Sequence, residues 1–213
     1  VYKRQTRSRV SADPTPRDPL ALRLMLHDPH PSLYLGRPCY HGSAPQPPCR
    51  PWLWTHGRYS EPVVASMAAA LSAVLDANGA REVTLIGYSG GGVLAMLLAP
   101  RVPGVVAVIT VAANLDIDAW AAHHGYSPLQ GSLNPADLPA LPASIRQHHF
   151  VGSRDREVPP AITRAGLRAQ PGAEVHDIAG ADHRCCWVER WPGLLRQADA
   201  RPAAGIAPPG TDR

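Results

Sequence analysis

Lysine is almost missing from this chain: Lys3 stands alone against twenty arginines. Aromatic residues are few and there is one phenylalanine, so leucine, valine, alanine and isoleucine must fill the core. No apolar run reaches the roughly 18 residues that a membrane-spanning helix requires. The formal net charge is +4, but the arginines are scattered and form no stripe, which argues against a nucleic-acid partner. Four cysteines in 213 residues do not make a disulfide scaffold. No second cysteine or histidine pair sits at a standard ligand spacing, so no metal site is expected. There is no glycine-rich phosphate loop, no paired-histidine helix motif and no internal repeat, and no cofactor is implied. The one lysine lies in Val1-Tyr2-Lys3-Arg4-Gln5, which reads as the translation of a sequencing-adapter end (GTG TAT AAG AGA CAG). Residues 1–5 are therefore expected to be a foreign scar on an arginine-rich bacterial sequence, and they are set aside from fold reasoning. Without Lys3 and Arg4 the net charge falls from +4 to +2.

What remains suits one domain with one core. Residues 19–26 read as a helix, with Asp18 as cap and Pro19 in first position. Residues 32–35 read as a strand. Residues 62–77 are the clearest helix: Val63, Val64, Met67, Leu71, Val74 and Leu75 recur at helical spacing, Ser60 can cap it, and Asn78-Gly79 ends it. Residues 83–86 read as a buried strand, and the β-branched run 105–111 as a strand buried on both faces. Residues 149–151 and 174–178 are further strands, and 185–197 the last helix, with Trp187 and Trp191 on one side. Alternation of strands and helices predicts an α/β architecture with a doubly wound, mostly parallel sheet.

The strand at 83–86 runs into Gly87-Tyr88-Ser89-Gly90-Gly91 and then an apolar helix. Strand, tight turn and helix are the context that gives a G-x-S-x-G pattern its meaning. The turn holds Ser89 in a strained conformation, and side chains at 87 or 91 are expected to collide with the adjoining strand and helix. An acid and a histidine follow. Asp155 lies in the turn leaving the strand at 149–151, where a carboxylate can orient an imidazole. Its competing use is a turn aspartate that binds its own backbone. His183 lies in Gly180-Ala181-Asp182-His183, between the last strand and the last helix. A serine hydroxyl is a weak nucleophile until a base takes its proton, and an imidazole can accept and return it. Asp116 and Asp118, after the preceding strand, offer an alternative acid.

On these three motifs, GYSGG, GSRDREVP and AGADH, the chain from about residue 12 to 198 resembles the α/β-hydrolase family of serine hydrolases. The resemblance implies Ser89 as nucleophile, His183 as base then acid, Asp155 as orienter, and the Gly90 backbone N–H as one oxyanion donor. It also implies a second donor from a strand two strand–helix units before the elbow. That strand is expected to be missing at the N-terminus, leaving a gap between the 32–35 and 83–86 strands. The fold expected is thus an α/β-hydrolase fold lacking its N-terminal strands. His41-Gly42 and His56-Gly57 mimic an oxyanion motif but follow the wrong strand. The implied activity is cleavage of a small-molecule acyl ester or related bond. A non-catalytic binding protein, an acyltransferase and a peptidase are the alternatives.

Residues 114–142 form an insert expected over the strand ends beside Ser89, with Tyr88, Trp120, Tyr126 and Leu129 as candidate pocket walls. Cys39 and Cys49 flank a short proline-rich loop that a disulfide could close, which would place the protein in an oxidising, exported setting. Cys185 and Cys186 are expected to be half-buried at the start of the last helix. Residues 200–213 are rich in proline, glycine and alanine and read as a disordered tail.

Overall fold

A computed structural model describes residues 10–199. The expected scar and tail lie outside these residues. Four strands, β1 (Val83–Tyr88), β2 (Val105–Val111), β3 (Arg146–Gly152) and β4 (Ala173–Ile178), form one sheet in the order β1-β2-β3-β4. All three pairings are parallel. The helices are α1 (Leu20–Met25), α2 (Glu61–Ala77), α3 (Gly90–Leu98), α4 (Ile117–His123), α5 (Pro160–Gly166) and α6 (Trp187–Asp199). No helix of the described residues is long and apolar enough to cross a membrane.

Successive side chains of a strand point to opposite faces, so a strand covered on both sides must be apolar throughout. β2 meets this condition and divides its residues between two cores. Val108 packs with Val63, Val64, Met67 and Leu71 of α2 and with the apolar run of α3. Ile109 and Val111 face Leu24 of α1 and Trp187 and Trp191 of α6, both tryptophans fully buried. The result is helices on both sheet faces, the doubly wound arrangement read from the sequence.

Local signals were realised unevenly. Asn78 and Gly79, the latter at φ +62°, end α2 as expected. Ser60 occupies the N-cap of α2, but its buried hydroxyl makes no cap bond. Pro19 takes the N-cap position of α1 rather than its first turn, and Asp18 makes an exposed ion pair with Arg23 instead of capping. Residues 32–35 form no strand. A strand needs a ladder partner for its backbone groups, and β1 has only β2 beside it among the described residues. Leu35 alone of this segment packs against the α2–α3 core.

Cys39 and Cys49 are joined, with Cα atoms 5.5 Å apart, around a small cluster of Tyr40, Ala44 and Trp54. Cys185 and Cys186 are joined to each other, and Cys185 is exposed. They precede α6 rather than begin it, because Cys186 takes a positive φ of 75° that no helix continues.

Candidate active site at the β1–α3 turn

β1 ends at Tyr88 and α3 begins at Gly90, so one residue must make the whole reversal. That residue is Ser89, at φ 50° and ψ −121°. This is a backbone conformation that non-glycine residues rarely adopt, and it persists only where packing enforces it. The Ser89 N–H donates to the Val111 carbonyl at 2.9 Å, which ties the turn to β2. A β-carbon on Gly87 would strike the Gly91 backbone, and one on Gly92 would strike Ala113. One on Gly91 would meet nothing within 4 Å. The close approach expected at 87 and 91 is therefore at 87 and 92. The helix turns residue 91 outward, and Gly92 is the residue facing β2.

Asp155 follows β3 and is buried, its side chain wholly so. Its Oδ1 accepts from the Glu157 and Val158 N–H groups, at 2.9 and 2.8 Å. Its Oδ2 lies 2.9 Å from His183 Nδ1. The turn use and the histidine partner thus occupy different oxygens of one carboxylate. With Nδ1 carrying its proton toward Asp155, Nε2 is left as an acceptor, 3.1 Å from Ser89 Oγ. Serine, imidazole and carboxylate form one continuous hydrogen-bonded line across the ends of β1, β3 and β4. Asp116, the alternative acid, caps α4 by accepting from Ala119 N–H, and Asn134 donates to it as well.

Tyr88 donates through its hydroxyl to the His183 carbonyl at 2.7 Å, and its ring lies 5.2 Å from the imidazole. Its place is thus behind the histidine. Trp120 Nε1 and His124 Nε2 both donate to the Glu157 carbonyl, at 2.9 and 2.7 Å. The insert therefore grips the loop whose N–H groups hold Asp155. Tyr126 stacks on His124 and is half exposed. Leu129 is buried in the α2–α3 core.

His41 packs edge-on against Tyr34, and the His56 ring meets the Pro128 carbonyl. Neither takes part in the hydrogen-bonded line. Next to His56-Gly57, however, sequence reasoning missed Tyr59. Its ring is buried, and its hydroxyl presses on the place where a side chain of Gly90 would stand. That hydroxyl makes no hydrogen bond among the described residues. The Tyr59 backbone is fixed to the insert by Ser132 and Leu133. No local pattern marks this tyrosine, because its closeness to Gly90 depends on how α2 docks on α3.

A family model described as the alpha/beta hydrolase fold matches residues 38–142. A hydrolase of the alpha/beta fold family from Bacillus anthracis superposes with a TM-score of 0.50 at 11% identity, over 68% of this chain and 74% of that one. A mutant puromycin hydrolase gives 0.50 at 19% identity, over 71% of this chain and 27% of that one. An alpha/beta hydrolase from a sediment metagenome of the Mar Chica lagoon, Morocco, gives 0.48 at 21% identity, over 64% and 68%. No curated protein matches. With its parallel sheet, flanking helices and this matching family model, the chain is an α/β-hydrolase-fold protein.

Proposed function

We propose that the protein is a serine hydrolase that cleaves small acyl esters through an acyl-enzyme on Ser89. The observation that carries this reading is the line from Asp155 through His183 to Ser89, with both links at hydrogen-bond distance. Ser89 Oγ attacks the acyl carbon while His183 Nε2 takes its proton. The carbonyl oxygen becomes an oxyanion, and the Gly90 N–H at the start of α3 donates to it. The Tyr59 hydroxyl, beside Gly90, is the second donor in this reading. It takes the role that the resemblance assigns to a loop two strand–helix units before the elbow. Collapse of the tetrahedral species expels the alcohol, which receives the proton from His183. Water then repeats the sequence on the acyl-enzyme and regenerates Ser89. Asp155 stabilises the imidazolium in both halves.

The test is hydrolysis of p-nitrophenyl esters of short and medium acyl chains. Ser89→Ala is expected to lower kcat by about 10⁴–10⁶-fold. Tyr59→Phe is expected to lower kcat by about 10²–10³-fold with little change in KM, the signature of a lost oxyanion donor. Ester hydrolysis undiminished in Ser89→Ala would overturn the reading. An unchanged kcat for Tyr59→Phe would remove the tyrosine from it.

A further inference from the structure

On the sheet face covered by α6, β3 and β4 bring together a second group of histidines. Glu174 and His176 are two apart on β4 and so share one face. The parallel register places His148 of β3 directly beside Glu174 and Phe150 beside His176. His148 Nδ1 lies 3.3 Å from His176 Nε2 and 3.6 Å from Glu174 Oε2, and His176 Nε2 lies 3.8 Å from the same oxygen. The nearest point equidistant from these three atoms lies in their plane, about 2.1 Å from each, which matches zinc bonded to imidazole nitrogen and carboxylate oxygen.

The surroundings fit such a centre. The Gln197 side-chain nitrogen Nε2, from α6, lies 3.0 Å from His176 Nδ1. Exchanging the amide's nitrogen and oxygen, which occupy the same shape, turns the oxygen to the ring to accept an Nδ1 proton and leaves the His176 Nε2 without one, as a metal ligand requires. The nearby charges oppose each other, Arg146 against Asp199, and the Arg146 guanidinium is bound to the Ala198 carbonyl. A groove of about 250 Å³, lined by Leu141, Pro142 and Ile145, reaches His148 and Glu174 and opens a path from solvent. His148 is buried, His176 half-buried and Glu174 exposed, so water can complete the coordination shell.

We propose that His148, Glu174 and His176 bind one divalent transition-metal ion of the zinc type. Two imidazoles and one carboxylate suit zinc, whereas calcium and magnesium call for more oxygen ligands. Bound there, the ion ties β4 to β3, and through Gln197 it braces the end of α6. No sequence spacing marks these three residues, because they meet through strand register and not through a local motif.

The test is calorimetric titration of chelator-stripped full-length protein with zinc chloride, alongside thermal unfolding with and without zinc. One equivalent is expected to bind, with a rise in Tm. Glu174→Gln, an exposed change that spares the core, is expected to weaken binding at least about tenfold, and His176→Gln more. His123→Ala, on α4, is expected to bind as the parent does. No saturable uptake up to about 100 µM zinc, or uptake unchanged in Glu174→Gln and His176→Gln, would overturn the proposal. Binding without a rise in Tm would overturn the bracing.

Discussion

Between residues 27 and 60 the backbone makes turns, one 3-10 turn and one disulfide, while from Val83 to Asp199 it makes four parallel strands, four α-helices and one 3-10 turn. Both stretches contain runs that read as strands. The difference lies in their neighbours. β2 and β3 have a ladder on each side, and their side chains are buried between helices. Residues 32–35 have no ladder, and Leu33 stands 55% exposed. A β-rich pattern becomes a strand only where another strand can satisfy its backbone. The front segment is held instead by scattered ties: the Cys39–Cys49 bond, the Trp54 Nε1 bond to the Ser11 carbonyl, and the grip of His56 and Tyr59 on the insert.

The largest effect belongs to the sheet. His183→Ala is expected to reduce ester turnover by about 10⁴-fold or more while Tm and hydrogen-exchange protection of β1–β4 stay close to the parent's. Loss of turnover together with loss of that protection would mean the change acted on the fold, not on proton transfer.

The next effect reads the pH response of the sheet's interior. Burial holds His149 neutral, its pKa lowered to about 3, with Thr110 Oγ1 2.8 Å from Nδ1. The unfolded chain takes up a proton near pH 6.5 that the folded one refuses, so stability declines as pH falls from 6.5 toward 3. Each unit of pH in that window costs up to about 1.4 kcal/mol from this one group. Denaturant unfolding of His149→Asn across the window is expected to show a flatter acid limb. An identical slope would place the acid sensitivity elsewhere.

Reduction of Cys39–Cys49 probes the front segment. The loop it closes is short, and its loss is expected to cost about 2–3 kcal/mol, confined to that segment. Exchange of amides 27–60 should quicken with β1–β4 unaltered; equal quickening throughout would show that the two regions unfold together. A smaller effect separates the glycines of the turn. Gly87→Ala is expected to destabilise by about 1–3 kcal/mol through overpacking, whereas Gly91→Ala, facing open space, is expected to be neutral or slightly stabilising. Thermal unfolding of the two variants checks the order.

These elements also mark what the residues alone could reveal. Val105–Val111 was legible to the residue, because a β-branched run bounded by turns has one reading. The Gly87–Gly91 turn, Asp155 and His183 were legible because each sits in a local context, a strand followed by a short loop. The three-dimensional line between them was not, since it depends on the spacing of β1, β3 and β4. Tyr59 and the histidines of β3 and β4 were illegible for a related reason. Their partners are far away in sequence, and docking or register alone unites them. The Ser60 and Asp18 caps were misread because burial and an arginine partner redirected their side chains.

The central claim is that Ser89 is a nucleophile activated by His183. Treating the parent, Ser89→Ala and His183→Ala proteins with a fluorophosphonate and mapping the adduct by mass spectrometry tests it most directly. One adduct on Ser89 is expected in the parent, none in Ser89→Ala, and strongly slowed labelling in His183→Ala. An adduct that persists in Ser89→Ala, or that maps to another residue in the parent, would contradict it.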